Sequence, residues 1–161
     1  MELRLVNNTE LDYILKLYKD AQSEPFCVWN DEYPTMLEIN EDYQTNNLFV
    51  LVEGDEILGA ISIVHNNEMD DCLEWKITNQ ACEIARIVID KKHHGKGLAS
   101  IMVKSIFEVC KNRGFKAIHL SCQYQNIPAI KTYQKLGFKI VGEKSMYNNH
   151  YYLCEKDLNI N

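Results

Sequence analysis

The run Ile87-Val88-Ile89-Asp90-Lys91-Lys92-His93-His94-Gly95-Lys96-Gly97-Leu98-Ala99 constrains this chain more than any other feature. A β-branched apolar strand runs into a glycine loop, and the loop opens the clearest helix in the sequence. Leu98, Ile101, Met102, Ser105, Ile106, Val109 and Cys110 form one face of that helix, and Lys104, Glu108, Lys111 and Asn112 the other. Gly114 stops it, and Lys111 and Arg113 suit its negative end. First-turn amides of a helix lack internal partners and sit at the positive end of its dipole, which favours phosphate. Gly95 and Gly97 carry no Cβ, so a pyrophosphate can approach the backbone, with Lys96 adding charge. Gly-x-Gly also serves as a plain tight turn. The P-loop pattern is absent, and Ser100 stands where a third dinucleotide-type glycine belongs.

The rest of the chain supplies a layered frame for this run. Glu2–Val6 reads as a strand. A helix capped by Thr9 extends to about Gln22 on Leu11, Ile14, Leu15 and Tyr18, and a second follows Pro34 on Met36, Leu37, Ile39 and Tyr43. Leu48–Val52 and Ile57–His65 form a hairpin across Glu53-Gly54-Asp55-Glu56. Asn66–Asp71 reads as a loop, and Glu83–Ile89 as a long strand. Lys116–Cys122 is a further strand. A short helix runs from Asn126 to Gly137, and strands from Ile140 and over Tyr147–Glu155 close the chain. This order predicts an α/β (α+β layered) fold: a mixed, mostly antiparallel sheet of six to seven strands flanked by about four helices. No linker or repeat breaks the 161 residues, so a single domain over 1–161 is expected.

The second informative segment is Asn126-Ile127-Pro128-Ala129-Ile130-Lys131-Thr132-Tyr133-Gln134-Lys135-Leu136-Gly137-Phe138. Asn126 is a natural N-cap, and Pro128 is tolerated in a first turn. Tyr133 lies two turns further on the same side. Each residue also has a plain reading, Asn126 as a cap only and Tyr133 as packing only. Together, the two segments resemble the signature regions of the GNAT superfamily of acetyltransferases. The first resembles the acetyl-CoA pyrophosphate loop, and Asn-x-x-Ala-Ile-x-x-Tyr-x-Lys-x-Gly-Phe matches the second almost position for position. One departure is clear. The family usually places Arg or Gln just before the glycines, where this chain has Lys92 and His94.

The resemblance implies transfer of acetyl from acetyl-CoA to a primary amine of a small molecule or peptide. The implied cosubstrate-binding residues are Ile87, Val88, Ile89, His94, Gly95, Lys96, Gly97, Leu98, Ala99, Asn126 and Tyr133. The strand would pair with the amide-bearing pantetheine arm. Tyr133 occupies the general-acid position. Glu83, upstream on the same strand, is the candidate base, the alternative being a surface or salt-bridged carboxylate. A base is useful because neutralising an amine of pKa ~10.4 at pH 7 costs about 4.6 kcal/mol. Between the first two helices, Glu24–Tyr33 offers Trp29, Asp31 and Tyr33 as candidate substrate-binding residues for an ammonium. An ordinary surface loop with Trp29 on the core fits that stretch equally well.

Composition bounds the partners. A net charge of −6 argues against nucleic acid or an anionic membrane as partner and is compatible with a cationic acceptor. No apolar run approaches the roughly 20 residues of a membrane span. The N-terminus lacks a signal-peptide pattern, so a cytoplasmic location is expected. The six cysteines form no CxxC pair, and His93 and His94 cannot share a helix face, so no metal is expected. Reduced thiols and an enzyme without covalent intermediate follow; a homodimer is admissible. Two other classes fit the same residues: a non-catalytic acyl-CoA-binding or sensing module, and an interaction domain with a structural Gly-x-Gly.

Overall fold

A computed structural model describes residues 1–65 and 67–160, with the side chains of residues 67 and 68 outside the description. Seven strands form one sheet in the order β1-β2-β3-β4-β5-β7-β6. They are β1 (Glu2–Leu5), β2 (Leu48–Glu53), β3 (Glu56–Val64), β4 (Ala81–Ile89), β5 (Ala117–Gln123), β6 (Lys139–Met146) and β7 (Asn149–Asp157). The helices are α1 (Leu11–Ala21), α2 (Met36–Gln44), the short α3 (Asn67–Asp70), α4 (Leu98–Asn112) and α5 (Ile127–Lys135). The β4–β5 pair is parallel; β1–β2, β2–β3, β5–β7 and β6–β7 are antiparallel. This is the mixed, mostly antiparallel sheet expected.

The described residues form two compact units. The first comprises Met1–Ile63 and Arg86–Val103. Its core gathers Ile14, Leu17 and Tyr18 of α1, Ile39 of α2, and Leu48, Val50, Ala60 and Val88 of the strands. Each large aliphatic side chain so buried contributes roughly 1.5–3 kcal/mol. Gly59 records how closely β3 and β4 approach: a Cβ there would lie 2.5 Å from the Val88 carbonyl oxygen. The start of α1 departs from expectation. Thr9 lies inside a 3-10 turn (Asn8–Glu10), and the Asn7 amide donates to the Glu10 carboxylate at 2.7 Å. At α2, Thr35 and Glu38 form a capping box, the Thr35 hydroxyl accepting from Leu37 N–H at 3.2 Å.

The second unit comprises Val64–Ala85 and Lys104–Asn161. Met69, Cys72, Trp75 and Leu153 pack together. The expected Asn66–Asp71 loop is corrected at Asn67–Asp70, which makes a helical turn; Asn66 lies outside the described residues. The last strand begins at Asn149, not Tyr147, because Tyr147 and Asn148 both have positive φ and form the β6–β7 turn. A buried polar row crosses three strands, with Glu83 opposite His119 and His119 opposite Glu155. His119 Nε2 donates to Glu155 at 3.0 Å, and the Trp75 ring stacks on the imidazole at 3.9 Å.

On α4, Leu98, Met102, Val103, Ile106, Phe107 and Cys110 are buried, while Ile101 is 39% exposed. The inner face is therefore rotated toward Val103 and Phe107 from the one expected.

Candidate active site

The glycine loop begins where β4 ends. The buried Asp90 caps a 3-10 turn (Lys91–His93), its carboxylate accepting from Lys92 N–H at 3.0 Å and from the Tyr13 hydroxyl at 2.6 Å. Burial opposes the charge on Asp90, but these hydrogen bonds outweigh it and hold the carboxyl below its usual range. The same bond pushes the Tyr13 phenol up to about 12. Gly95 and Gly97 adopt φ +78° and +72°, and a Cβ at either would meet no atom within 4 Å. Their glycine identity thus serves backbone conformation and leaves open ground over the loop. Leu98 is buried and starts α4, fifteen residues long.

The side chains around this loop bind one another. His94 Nε2 donates to the Ile89 carbonyl at 3.0 Å, and its Nδ1 lies 3.9 Å from Glu24. His93 bonds Glu56 at 2.8 Å and accepts from Lys96 at 3.2 Å. The imidazole standing where the family has Arg or Gln is thus engaged in closing the end of β4. That leaves main-chain amides and the Lys96 ammonium as the groups suited to an anion.

In the second unit, the Asn126 side-chain oxygen accepts from Ala129 N–H at 3.3 Å, so the residue does cap α5. Its amide nitrogen is the donor it can still offer. Tyr133 is half-buried, edge-on to Phe138 at 5.8 Å. Burial, reinforced by the Cys122 and Cys154 thiols, raises its phenol above the ordinary tyrosine value, so the proton stays on at neutral pH. Burial likewise pushes Cys122 up to about 12. The Cys82 thiol, 3.5 Å from Cys110, is raised by that hydrogen bond and by burial. Neither thiol is poised as a nucleophile. Glu83 is buried at 5% exposure, so the surface-carboxylate alternative does not apply to it. An open cleft of about 700 Å³, to which no sequence feature pointed, lies between residues 123–125 and the 145–150 turn.

The candidate acceptor residues separate. Trp29 is half-buried on the first unit's core, edge-on to Tyr18 at 5.2 Å. Asp31 is exposed. Tyr33 is 43% exposed, and its hydroxyl accepts from Arg86 Nη1 at 2.9 Å. Arg86 was not singled out by sequence. It forks onto Asp42 at 2.7–3.0 Å, and the Ser62 hydroxyl donates to the same carboxylate at 2.7 Å. Arg86 has φ +51° inside β4, a conformation costing an L-residue about 1–2 kcal/mol. Hydrogen bonds to charged groups contribute about 1.5–3 kcal/mol each, so the fork holds the kink. The available signal was one charge on the Ile39 face of α2 and an opposite one within an Ile/Val strand.

The sequence profile of the acetyltransferase (GNAT) family matches residues 14–138. The chain belongs to the GNAT family. Among curated relatives, N-alpha-acetyltransferase 30 of Schizosaccharomyces pombe is 29% identical over 90 residues, 56% of this chain and 55% of that protein. Spermidine N(1)-acetyltransferase of Escherichia coli is 26% identical over 155 residues, 89% of this chain and 75% of that one. This chain spans about half the length of the first of these, 55%, and of others at 46% and 53%. The structure of YncA from Salmonella typhimurium, with its cofactor acetyl-CoA, superposes with a TM-score of 0.77 at 16% identity, covering 98% and 94% of the two chains. That likeness shows that the two chains share a fold. Among the described residues, no group of His, Cys, Asp or Glu could hold a metal, and no helix is long and apolar enough to cross a membrane.

Proposed function

We infer that this chain transfers the acetyl group of acetyl-CoA to a primary amine. The observation that carries the reading is the loop itself: two left-handed glycines under open ground, at the mouth of a fifteen-residue helix. The amides of residues 95–99 would take the pyrophosphate, with Lys96 beside them. The main chain of Ile87–Ile89 would pair with the amides of the pantetheine arm, and Asn126 would donate to that arm. When bound, acetyl-CoA supplies an acyl group activated as a thioester.

The chain's own groups then move protons. Glu83, directly or through water, takes the proton that an ammonium must lose before its nitrogen attacks. As the new C–N bond forms and the C–S bond breaks, Tyr133 gives its proton to the departing sulfur and is restored by the second proton that the acylated nitrogen sheds. A phenol raised above ~10 is a weaker acid than a thiol of ~8.5. Tyr133 therefore acts chiefly as a hydrogen-bond donor to the charge on sulfur, and transfer is completed only as the acylated nitrogen returns a proton to the phenol. The segment 24–35 forms the acceptor side, where Tyr33 and Asp31 are exposed. The spermidine N(1)-acetyltransferase and N-alpha-acetyltransferase relatives support an amine as acceptor and leave its class open.

The test joins calorimetry with acetyl-CoA to an assay of coenzyme A release over spermidine, spermine, lysine and a peptide with a free N-terminus. Micromolar binding and release with one amine are expected. Tight binding without release from any amine would favour a sensing module, and no binding would leave the loop a structural turn.

A further inference from the structure

We propose that Arg86 is a positioning residue that seats the acceptor segment through the Tyr33 hydroxyl. The proposal rests on the reading of residues 24–35 as the acceptor side.

Four observations converge on Arg86. Its guanidinium is fixed before it meets Tyr33: two nitrogens fork onto Asp42, and its side chain is only 10% exposed. Asp42 is itself held, at 9% side-chain exposure, by the fully buried Ser62 hydroxyl. The nitrogen left over, Nη1, points at the Tyr33 oxygen, 2.9 Å away. Finally, Asn30 and Tyr33 are bonded to each other through both main-chain amides, at 3.0 and 3.2 Å, and Glu32 N–H closes on the Asn30 side chain at 2.8 Å.

The Asn30–Tyr33 turn is therefore a small rigid piece with a handle, and Arg86 grips the handle. Arginine is suited to this because its planar fork serves a carboxylate and a third acceptor at once, which a lysine ammonium on a flexible stem does not reproduce. Arg86 directly precedes Ile87–Ile89 in β4. One side chain thus ties the strand assigned to the pantetheine arm, helix α2 and the acceptor turn. Because Tyr33 accepts from Arg86, its own hydroxyl proton remains to be donated outward. Arg86 sets where that donor stands without touching substrate.

The experiment is a double-mutant cycle of Arg86→Lys and Tyr33→Phe in the full chain, read on the best amine of the panel above. Arg86→Lys keeps a charge for Asp42, and Tyr33→Phe keeps the ring, so both should fold. Each should raise the amine KM about tenfold, leave the acetyl-CoA Kd within about threefold, and show no further loss when combined. Hydrogen exchange at the Asn30 and Tyr33 amides should quicken in both while β2 and β3 are unchanged. Effects that multiply, an amine KM within twofold of the parent in Tyr33→Phe, or a weakening confined to acetyl-CoA would overturn the proposal. If the parent acetylates no amine, the acyl-transfer reading has failed. Hydrogen exchange then decides the clamp alone, and unchanged exchange at those two amides overturns it.

Discussion

A single oxygen separates the proposed chemical role of Tyr133 from its packing role. The ring meets Phe138 edge-on, and Tyr133→Phe preserves that contact. The variant should keep the parent's unfolding midpoint and its affinity for acetyl-CoA. Turnover should fall by about a hundredfold or more, the usual share of a positioned acid. Equal turnover would assign protonation of sulfur to water. The glycines allow a second separation. Gly97 sits at φ +72°, so a β-branched residue there strains the backbone as well as crowding the loop. Asparagine tolerates this region far better. Gly97→Asn should therefore fold normally and still weaken acetyl-CoA binding at least tenfold by calorimetry. An unchanged Kd would detach the loop from the cosubstrate.

At the scale of elements, the buried ion pair between α2 and β4 is a feature whose removal should be felt strongly. Asp42→Ala leaves a guanidinium buried at a left-handed residue without its carboxylate, and loss of one partner of a buried pair costs about 3–5 kcal/mol. A urea midpoint lowered by roughly 1–3 M is expected, against almost no change for exposed Asp31→Ala. This pair also marks where the sequence stopped being readable. The strand, glycine loop and helix after Ile87 were legible because each announces itself locally, by β-branched residues, paired glycines and helical spacing. Asp42 and Arg86 are 44 positions apart, and no local pattern joins them. Tyr147 misled for a related reason: an aromatic residue favours strand, yet the register of β6 on β7 imposes a two-residue turn with positive φ there. Of the candidate site, the local conformation of the loop and of the Asn126–Phe138 helix could be read directly, whereas the burial of Glu83 and the raised phenol of Tyr133 depend on neighbours brought together only by folding.

The whole molecule inherits a pH dependence from His119. Burial outweighs the pull of Glu155 and lowers the imidazole below its ordinary value near ~6.5. A histidine depressed in the folded state stays neutral there while the unfolded chain binds a proton. Its contribution is therefore present above about pH 6.5 and is lost as the pH falls through the folded value, with a slope of at most about 1.4 kcal/mol per pH unit. The unfolding temperature should decline below pH 6.5 in the parent and decline less steeply in His119→Gln; parallel curves would assign the loss to other groups. The cysteines add a different kind of handle. Cys27, in the first unit, is half-buried, whereas Cys72, Cys82, Cys110, Cys122 and Cys154 are all buried in the second. An alkylating reagent applied to the native protein should add one label quickly. The remaining labels should follow only as often as the second unit opens, so a mass spectrum taken over time becomes a clock for the breathing of that unit alone.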